Sequence, residues 1–449
     1  MFSLRYRTRL RDTDFYRLYN LKDEKSCGRA MILANAVFYS IGSIFVSGTF
    51  QTAFLANHGI DIVRVGIITF LPYFCSLISL LAPKFLSRFP RRRWLLLLNL
   101  FFYFGCTVLA TTIMPLFVQD PGARTFWFGF FLVLGNISHA LIGSCTNAWN
   151  VKFLPEGRDR NIYFSVSNIV TNVLSTAAAI GAALAADALA GSSRQNAILF
   201  WLRIAAFVMI IIGGCLQILV PKEYPYERSS ESAVRLRDVF VVPLRNKKFL
   251  QTVSISYLWG FIGAVNASTW IYYLLNTVKM PYVMTYITSI VTAIGSIFLL
   301  PVCRRLYNRT GWHKMMLINV STVLVLDCFA VFITAKTLWI FVIYSILSGL
   351  NQVCMQLTTS NTFYLHLPDR DIDHYIIFNN LLANIAALLG SVFGTWFLSL
   401  LEKPDGSRLF AAAGLDFYPS QLLVAVKLVM MAALVVYLRR LNSKNRQAG

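Results

Sequence analysis

Apolar positions in this chain come in long runs separated by short polar stretches. About twelve such runs are present, at 30–57, 63–86, 94–117, 125–150, 162–188, 198–220, 249–276, 281–303, 315–335, 338–363, 375–400 and 420–441. Each is near the roughly twenty residues that an α-helix needs to cross a bilayer. Inside hydrocarbon a backbone must satisfy its own amides, so runs of this length predict helices. One long polar stretch interrupts the series. Residues 221–248 read PKEYPYERSSESAVRLRDVFVVPLRNKK, mixing proline, serine and both charges. This predicts a linker joining six helices to six, with a short surface helix over 234–242. The expected fold is an all-α polytopic membrane protein. Its parts are a basic tail 1–29, a six-helix bundle 30–220, the linker 221–248, a second bundle 249–441 and a tail 442–449.

The two sets of six share a phrase. Tyr163, Asn168 and Asn172 stand in LPEGRDRNIYFSVSNIVTN; Tyr375, Asn380 and Asn384 stand in LPDRDIDHYIIFNNLLAN. Each tyrosine is followed by asparagines at the same two spacings. Gly135 and Asn147 precede the first phrase as Gly349 and Asn361 precede the second. Gly42, Leu55 and Asn57 match Phe261, Leu274 and Asn276 in place, and Leu199 and Arg203 match Leu423 and Lys427. Duplicated six-helix halves with the same orientation are parallel repeats about an axis along the membrane normal.

Composition agrees with this picture. The chain is 57% hydrophobic and 14% charged, with a mean hydropathy of +0.59. A soluble domain of this size could not hide so much apolar surface. The net charge of +21 would by itself suggest nucleic acid. The cations instead crowd into short loops on one side, so the expected partner is the lipid bilayer and not nucleic acid. The other side holds Arg64, Arg124, Arg194, Lys279, Lys336, Lys403 and Arg408. The positive-inside rule then puts both termini in the cytoplasm, with the plasma membrane as the expected location. Arg5, Arg7, Arg9, Arg11 and Arg17 precede a first run too long for a cleaved signal core, which predicts a retained first span. The eight cysteines form no Cys-x-x-Cys pair and are expected as small apolar packers, not as a disulfide framework or zinc site.

The layout of two six-helix halves, a cytosolic linker and cytosolic ends resembles the major facilitator superfamily of secondary transporters. That family carries a Gly-x-x-x-Asp-Arg-x-Gly-Arg-Arg type loop between helices two and three. Here the stretch is PKFLSRFPRRR. Arg88, Arg91, Arg92 and Arg93 match its basic positions, while Pro83, Ser87 and Pro90 replace the first glycine, the aspartate and the second glycine. In the second half NRTGWHK keeps Arg309, Gly311 and Lys314, with Asn308 at the acidic place. The resemblance implies alternating access about a site near the midplane, lined by helices one, four, seven and ten. It implies a monomer with a small-molecule substrate.

Polar residues inside the runs are the candidates for that site. Asn35, Tyr39 and Gln51 lie in the first run, Asn136 and His139 in the fourth, Asn266 and Trp270 in the seventh, and Asn351, Gln352 and Gln356 in the tenth. Asn168 and Asn172, and Asn380 and Asn384, are each one turn apart and share a helix face. Their amides serve either as substrate contacts or as bonds between helices. An amide and aromatic lining suits a neutral polar solute such as a sugar or related metabolite; it also suits amphipathic drugs. Charges inside spans are costly and functional by default. Asp327 and His139 are candidates for coupling to H+ or Na+, with a structural ion pair and a core histidine as the alternatives. Arg203 and Lys427 are expected to snorkel toward the outer surface. Arg88, Arg91, Glu156, Arg158, Tyr163, Arg309, Asp369, Asp371 and Tyr375 form a candidate cytoplasmic gate. The chain has no nucleotide-binding loop, metal cluster or Ser/His/Asp arrangement near the cytosolic surface, so neither an enzyme nor a cofactor is expected. The function read here is a secondary transporter for a small polar solute. A multidrug or lipophilic exporter is the second reading, and a sensor without transport the third.

Overall fold

The structure is a computed structural model that describes residues 18–21, 23–86, 88–155, 157–189, 194–224, 236–362, 372–401, 409–412 and 415–447. Among them, ten helices are long and apolar enough to cross a membrane. Short polar side chains start several of these helices. Asp23, Asp61, Asp120 and Asn246 each accept a hydrogen bond from the backbone N–H three residues on, at 3.0, 2.8, 2.6 and 3.1 Å. Each bond satisfies one of the amides that a helix start leaves without a partner.

The contacts divide the described chain into two compact units: Met1–Phe54 with Ile78–Ala233, and Leu55–Leu77 with Val234–Gly449. The first unit contains the first helix (Glu24–Val46, resuming as Gly48–Asn57, its last three residues excepted), the third (Arg93–Phe104, its span running on to Leu116), the fourth (Pro121–Ile142), the fifth (Gly157–Ala188) and the sixth (Gln195–Leu219). The break in the first helix falls at Gly48, whose φ of +54° only glycine adopts without strain. The first helix lies close against the sixth because Gly42 and Gly213 carry no side chain. A Cβ on Gly42 would stand 2.6 Å from Ile210, and one on Gly213 would stand 2.8 Å from Phe38. One core of this unit gathers Leu96, Leu97 and Leu100 with Ile142, Trp149, Phe153 and Ile218.

The second unit contains the second helix (Ile62–Ser76), the seventh (Lys247–Ala264, then Ala267–Tyr272), the eighth (Ile287–Phe298, then Leu300–Thr310), the ninth (Trp312–Ala330), the tenth (Leu338–Thr362), the eleventh (Ile372–Leu401) and the twelfth (Pro419–Gln447). Ile62 packs with Val265, Leu398 and Leu423, so the second helix sits among the seventh, eleventh and twelfth. The glycines of Gly390-x-x-x-Gly394 let the eleventh helix meet the backbone of the seventh at Phe261 and Val265. The linker forms a helix over Leu236–Arg245, and its Val239 is buried with Phe249, Val253, Tyr375 and Phe378. A short hairpin, Phe410–Ala412 with Leu415–Phe417, precedes the twelfth helix.

Two findings depart from the reading of the sequence. The runs at 249–276 and 281–303 are not continuous helices. The seventh breaks at Val265 and Asn266. The eighth breaks at Tyr286 and Leu299, the second break just before Pro301, which has no N–H to continue the ladder. Cys303 and Cys354 are joined as a disulfide with their Cα atoms 5.5 Å apart, so two of the expected packers are bonded. Residues 51 apart are brought together by the crossing of the eighth and tenth helices, which no local cysteine spacing records.

Candidate functional site

In the first unit, amides link three helices. Asn35 donates through Nδ2 to Gln217 Oε1, and Gln217 Nε2 donates to Asn150 Oδ1 at 2.5 Å. The first helix, the sixth and the segment Ser144–Val151 that follows the fourth are thereby tied, and both donor amides are used in the tie. Asn136 returns its Nδ2 to Leu132 O of its own helix at 2.8 Å. A turn further on, His139 stacks on Tyr103 with ring centroids 4.3 Å apart. Tyr103 stands edge-on to Phe104, and Phe104 edge-on to Tyr39. Ser138 donates to Asn99 Oδ1 at 3.1 Å beside this group. Tyr39 remains 48% exposed although it lies mid-helix, and His139 is exposed as well. The sequence reading passed over Asn99 and Tyr103. Their one-turn spacing opposite Ser138 and His139 is a signal that only the pairing of the third and fourth helices makes readable.

Arg203 does not snorkel. It is 2% exposed, and its Nε and Nη2 each donate at 2.8 Å to Thr112 and Thr111. Its guanidinium carbon lies 4.6 Å from the centroid of the Phe54 ring. Those partners hold the head inward, against the pull of water that the sequence reading assumed. Among the described residues Nη1 has no hydrogen-bond partner.

Lys427 does not snorkel either. In the second unit its Nζ lies 2.9 Å from Asp327 Oδ2, and Asp327 is 1% exposed. This contact is an ion pair. Tyr344 OH donates to the other carboxylate oxygen at 3.3 Å. Of the remaining candidates, Asn266 sits at the break in the seventh helix, where its carbonyl receives the N–H of Trp270 at 2.9 Å. Trp270 lies against Tyr273, 5.4 Å between centroids. Asn351 donates to Asn319 O at 3.4 Å, and Asn319 in turn donates to Thr358. Gln352, Gln356, Asn172 and Asn380 are exposed, while Asn384 and Gln51 are half-buried. The side chain of Asn168 lies outside the described residues.

The gate candidates fall into three groups. Arg88, Arg91 and Arg309 are exposed at helix ends. Tyr163 and Tyr375 are buried inside their own units, one stacked with Tyr19 and the other edge-on to Phe249 at 4.7 Å. Glu156, Asp369, Asp371 and the side chain of Arg158 lie outside the described residues. An acid that the sequence reading passed over is Glu223, just past the sixth helix. It accepts from the backbone N–H groups of Arg92 and Arg93 at 2.8 and 3.0 Å, capping the third helix where its dipole is positive.

Comparison with known proteins bears on this arrangement. The sequence profile of the Major Facilitator Superfamily matches residues 32–391. No curated protein sequence matches the chain. Among solved structures, a point mutant of the nucleoside transporter NupG superposes with a TM-score of 0.67 at 10% identity, over 92% of this chain and 99% of that one. A bacterial homologue of the iron transporter ferroportin, in an inward-facing state, gives 0.66 at 13% identity over 92% and 98%. The xylose transporter XylE from E. coli gives 0.59 at 10% identity over 91% and 97%. At such identities the likeness is one of fold.

Proposed function

We propose a function on one premise: the chain belongs to the Major Facilitator Superfamily. It is a membrane transporter. Our finer reading is a secondary transporter that moves a small, neutral, polar solute, a sugar or related metabolite, by alternating access. The driving force is a proton or sodium gradient or the solute's own. We place it in the plasma membrane with both ends in the cytoplasm.

One observation carries this reading. Gln352, Gln356, Asn172 and Asn380 are exposed within apolar spans. An amide facing hydrocarbon loses its hydrogen bonds, at a cost of roughly 2 kcal/mol or more. Such faces therefore border water or solute. Gln352 and Gln356 are one turn apart and share one face of the tenth helix. Amides bond hydroxyls and carry no charge, which favours a neutral solute over an anion or a cation. The exposed ring of Tyr39 adds a surface on which the apolar face of a sugar ring can lie.

A second reading, export of lipophilic compounds, has its own observation. A groove of about 450 Å³ in the first unit is walled by Leu109, Ile113, Met114, Phe117, Trp127 and Phe131. Purified protein melted in the presence of sugars, nucleosides, amino acids and amphipathic drugs separates the two. A ligand at a hundred times its Kd stabilises the folded form by about 2.7 kcal/mol. The first reading expects a shift with a neutral polar solute that Gln352→Ala and Gln356→Ala each diminish. Shifts with drugs alone, unchanged by those substitutions, would replace it with the second.

A further inference from the structure

The bonded pair Cys303 and Cys354 sits at a place where a permanent disulfide is not expected. Cys303 lies in the last piece of the eighth helix, directly before Arg304 and Arg305. Cys354 lies in the tenth helix, and its bond to Cys303 holds it at that level. Both are thus at the cation-rich edge, which the orientation proposed above assigns to the cytoplasm. Glutathione and thioredoxin keep cytosolic thiols reduced.

We infer that Cys303 and Cys354 form a reversible thiol–disulfide switch that fastens the hinged end of the eighth helix to the tenth. The inference rests on the proposed orientation. The middle piece of the eighth helix is held to the tenth without any covalent bond. Thr292 donates to Gly349 O at 3.2 Å, and a Cβ on Gly295 would stand 3.3 Å from Val353. Beyond Leu299 the helix restarts at Leu300 with Pro301 in its first turn, and this last piece carries the cysteine. The bond therefore spans a hinge. On the tenth helix it anchors between Asn351 and Gln352 on one side and Gln356 on the other, the amides proposed to meet solute.

Cys354 is half-buried and Cys303 is 2% exposed, so Cys354 is the thiol that an oxidant reaches first. With glutathione disulfide as oxidant, the Cys354 thiolate attacks one sulfur and releases one glutathione thiolate. The Cys303 thiolate then attacks the mixed disulfide and releases the second. Two protons leave the cysteines and two electrons pass to glutathione disulfide.

The test uses full-length protein in the membranes of expressing cells. Free thiols are blocked with N-ethylmaleimide before lysis, and the Cys303 and Cys354 peptides are read by mass spectrometry without reduction. Both cysteines should be mostly alkylated in resting cells. The linked fraction should rise at least ten-fold after diamide and fall again with glutathione. The purified linked protein should melt at a higher temperature than the reduced one, a difference absent in Cys354→Ser. A pair already linked in resting cells and resistant to glutathione would overturn the switch, as would a pair that diamide never links. None of these readouts needs a substrate, so their failure leaves the transport reading standing. An N-terminal tag that antibody reaches on intact cells would instead locate the failure in the orientation.

Discussion

Substitution of Lys427 by methionine leaves Asp327 without its cation. The carboxylate is 1% exposed, and the Tyr344 hydroxyl at 3.3 Å is the hydrogen-bond donor that remains to it. Removing one member of a buried ion pair costs about 3–5 kcal/mol, because the other is stranded in a medium of low dielectric. Asp327→Asn is milder. Lys427 lies two turns into the twelfth helix with its side chain 13% exposed, so the freed ammonium can turn toward the interface. That relief should hold the cost to about 3 kcal/mol or less. In the double variant Asp327→Leu, Lys427→Met both charges are gone and apolar groups fill the space. Such replacements are neutral or stabilising by roughly 1–4 kcal/mol. With Asp327→Leu as the matching single variant, Lys427→Met, the double variant and the parent chain make a double-mutant cycle whose coupling energy should be about 3 kcal/mol or more. For a domain of 150–250 residues, each kcal/mol moves Tm by roughly 2–4 °C. Lys427→Met should therefore lower the melting temperature of the purified protein by roughly 6–20 °C, with the double variant close to the parent. Scans in one detergent, at pH 7 and one heating rate, would read this. A double variant that loses the sum of the two single losses would refute the reasoning.

The repeat-related cation should behave in the opposite way. Arg203→Met removes a buried charge that has no carboxylate partner, and the hydroxyls it leaves behind keep their bonds to Thr107 O and Val108 O. Its melting temperature should fall by less than half as much as that of Lys427→Met, and a larger fall would show that the two Thr contacts and the Phe54 ring outweigh desolvation. Glycine substitutions should divide by neighbourhood. Gly394→Val drives a side chain into the Val265 backbone and should cost about 3 kcal/mol, seen as lost folded yield on size-exclusion chromatography. Gly181→Ala, with nothing within 4 Å of the new carbon, should gain roughly 0.5–1 kcal/mol and raise the melting temperature slightly.

The helices were legible because length and apolarity alone decide them in a membrane. The breaks inside the seventh and eighth were not. Val265 and Asn266 offer no Pro or Gly to announce the first, and Pro301 follows a break that hydropathy averages over. The repeat was legible as well, since Arg203 and Lys427 stand at matched positions in the sequence. Their environments were not, because these depend on which helix lies alongside. Thr111, Thr112 and Phe54 are ordinary residues of apolar runs until the sixth helix is laid against the third and first. The same holds for Asn35. Its amide was a candidate solute contact from the sequence, and only the nearness of Gln217 and Asn150 shows that its donor is used between helices. Among the described residues the exposed amides of the tenth helix have no such neighbour to claim them, which is why they remain the better candidates.

Set side by side, the interiors of the two halves suggest what the duplicated cation is for. In the first unit Arg203 joins the sixth helix to the third through Thr111 and Thr112, with Phe54 of the first helix under its charge. In the second, Lys427 joins the twelfth to the ninth through Asp327. Tyr273, at the place matching Phe54 by the repeat spacing, is 1% exposed and donates to Ile333 O at 2.8 Å, just beyond the ninth helix. Each unit thus ties helices together around its matched cation, and among the described residues only the second does so with a carboxylate. A tie made of hydroxyls and an aromatic ring holds its cation through dipoles and the ring face. A tie made of Asp and Lys depends on the carboxylate, since replacing Asp327 removes the attraction that holds the ammonium. The two halves therefore differ in kind at this point, and loss of the acid should loosen only the second. An Asp327→Asn variant that melts with the parent would overturn this assignment.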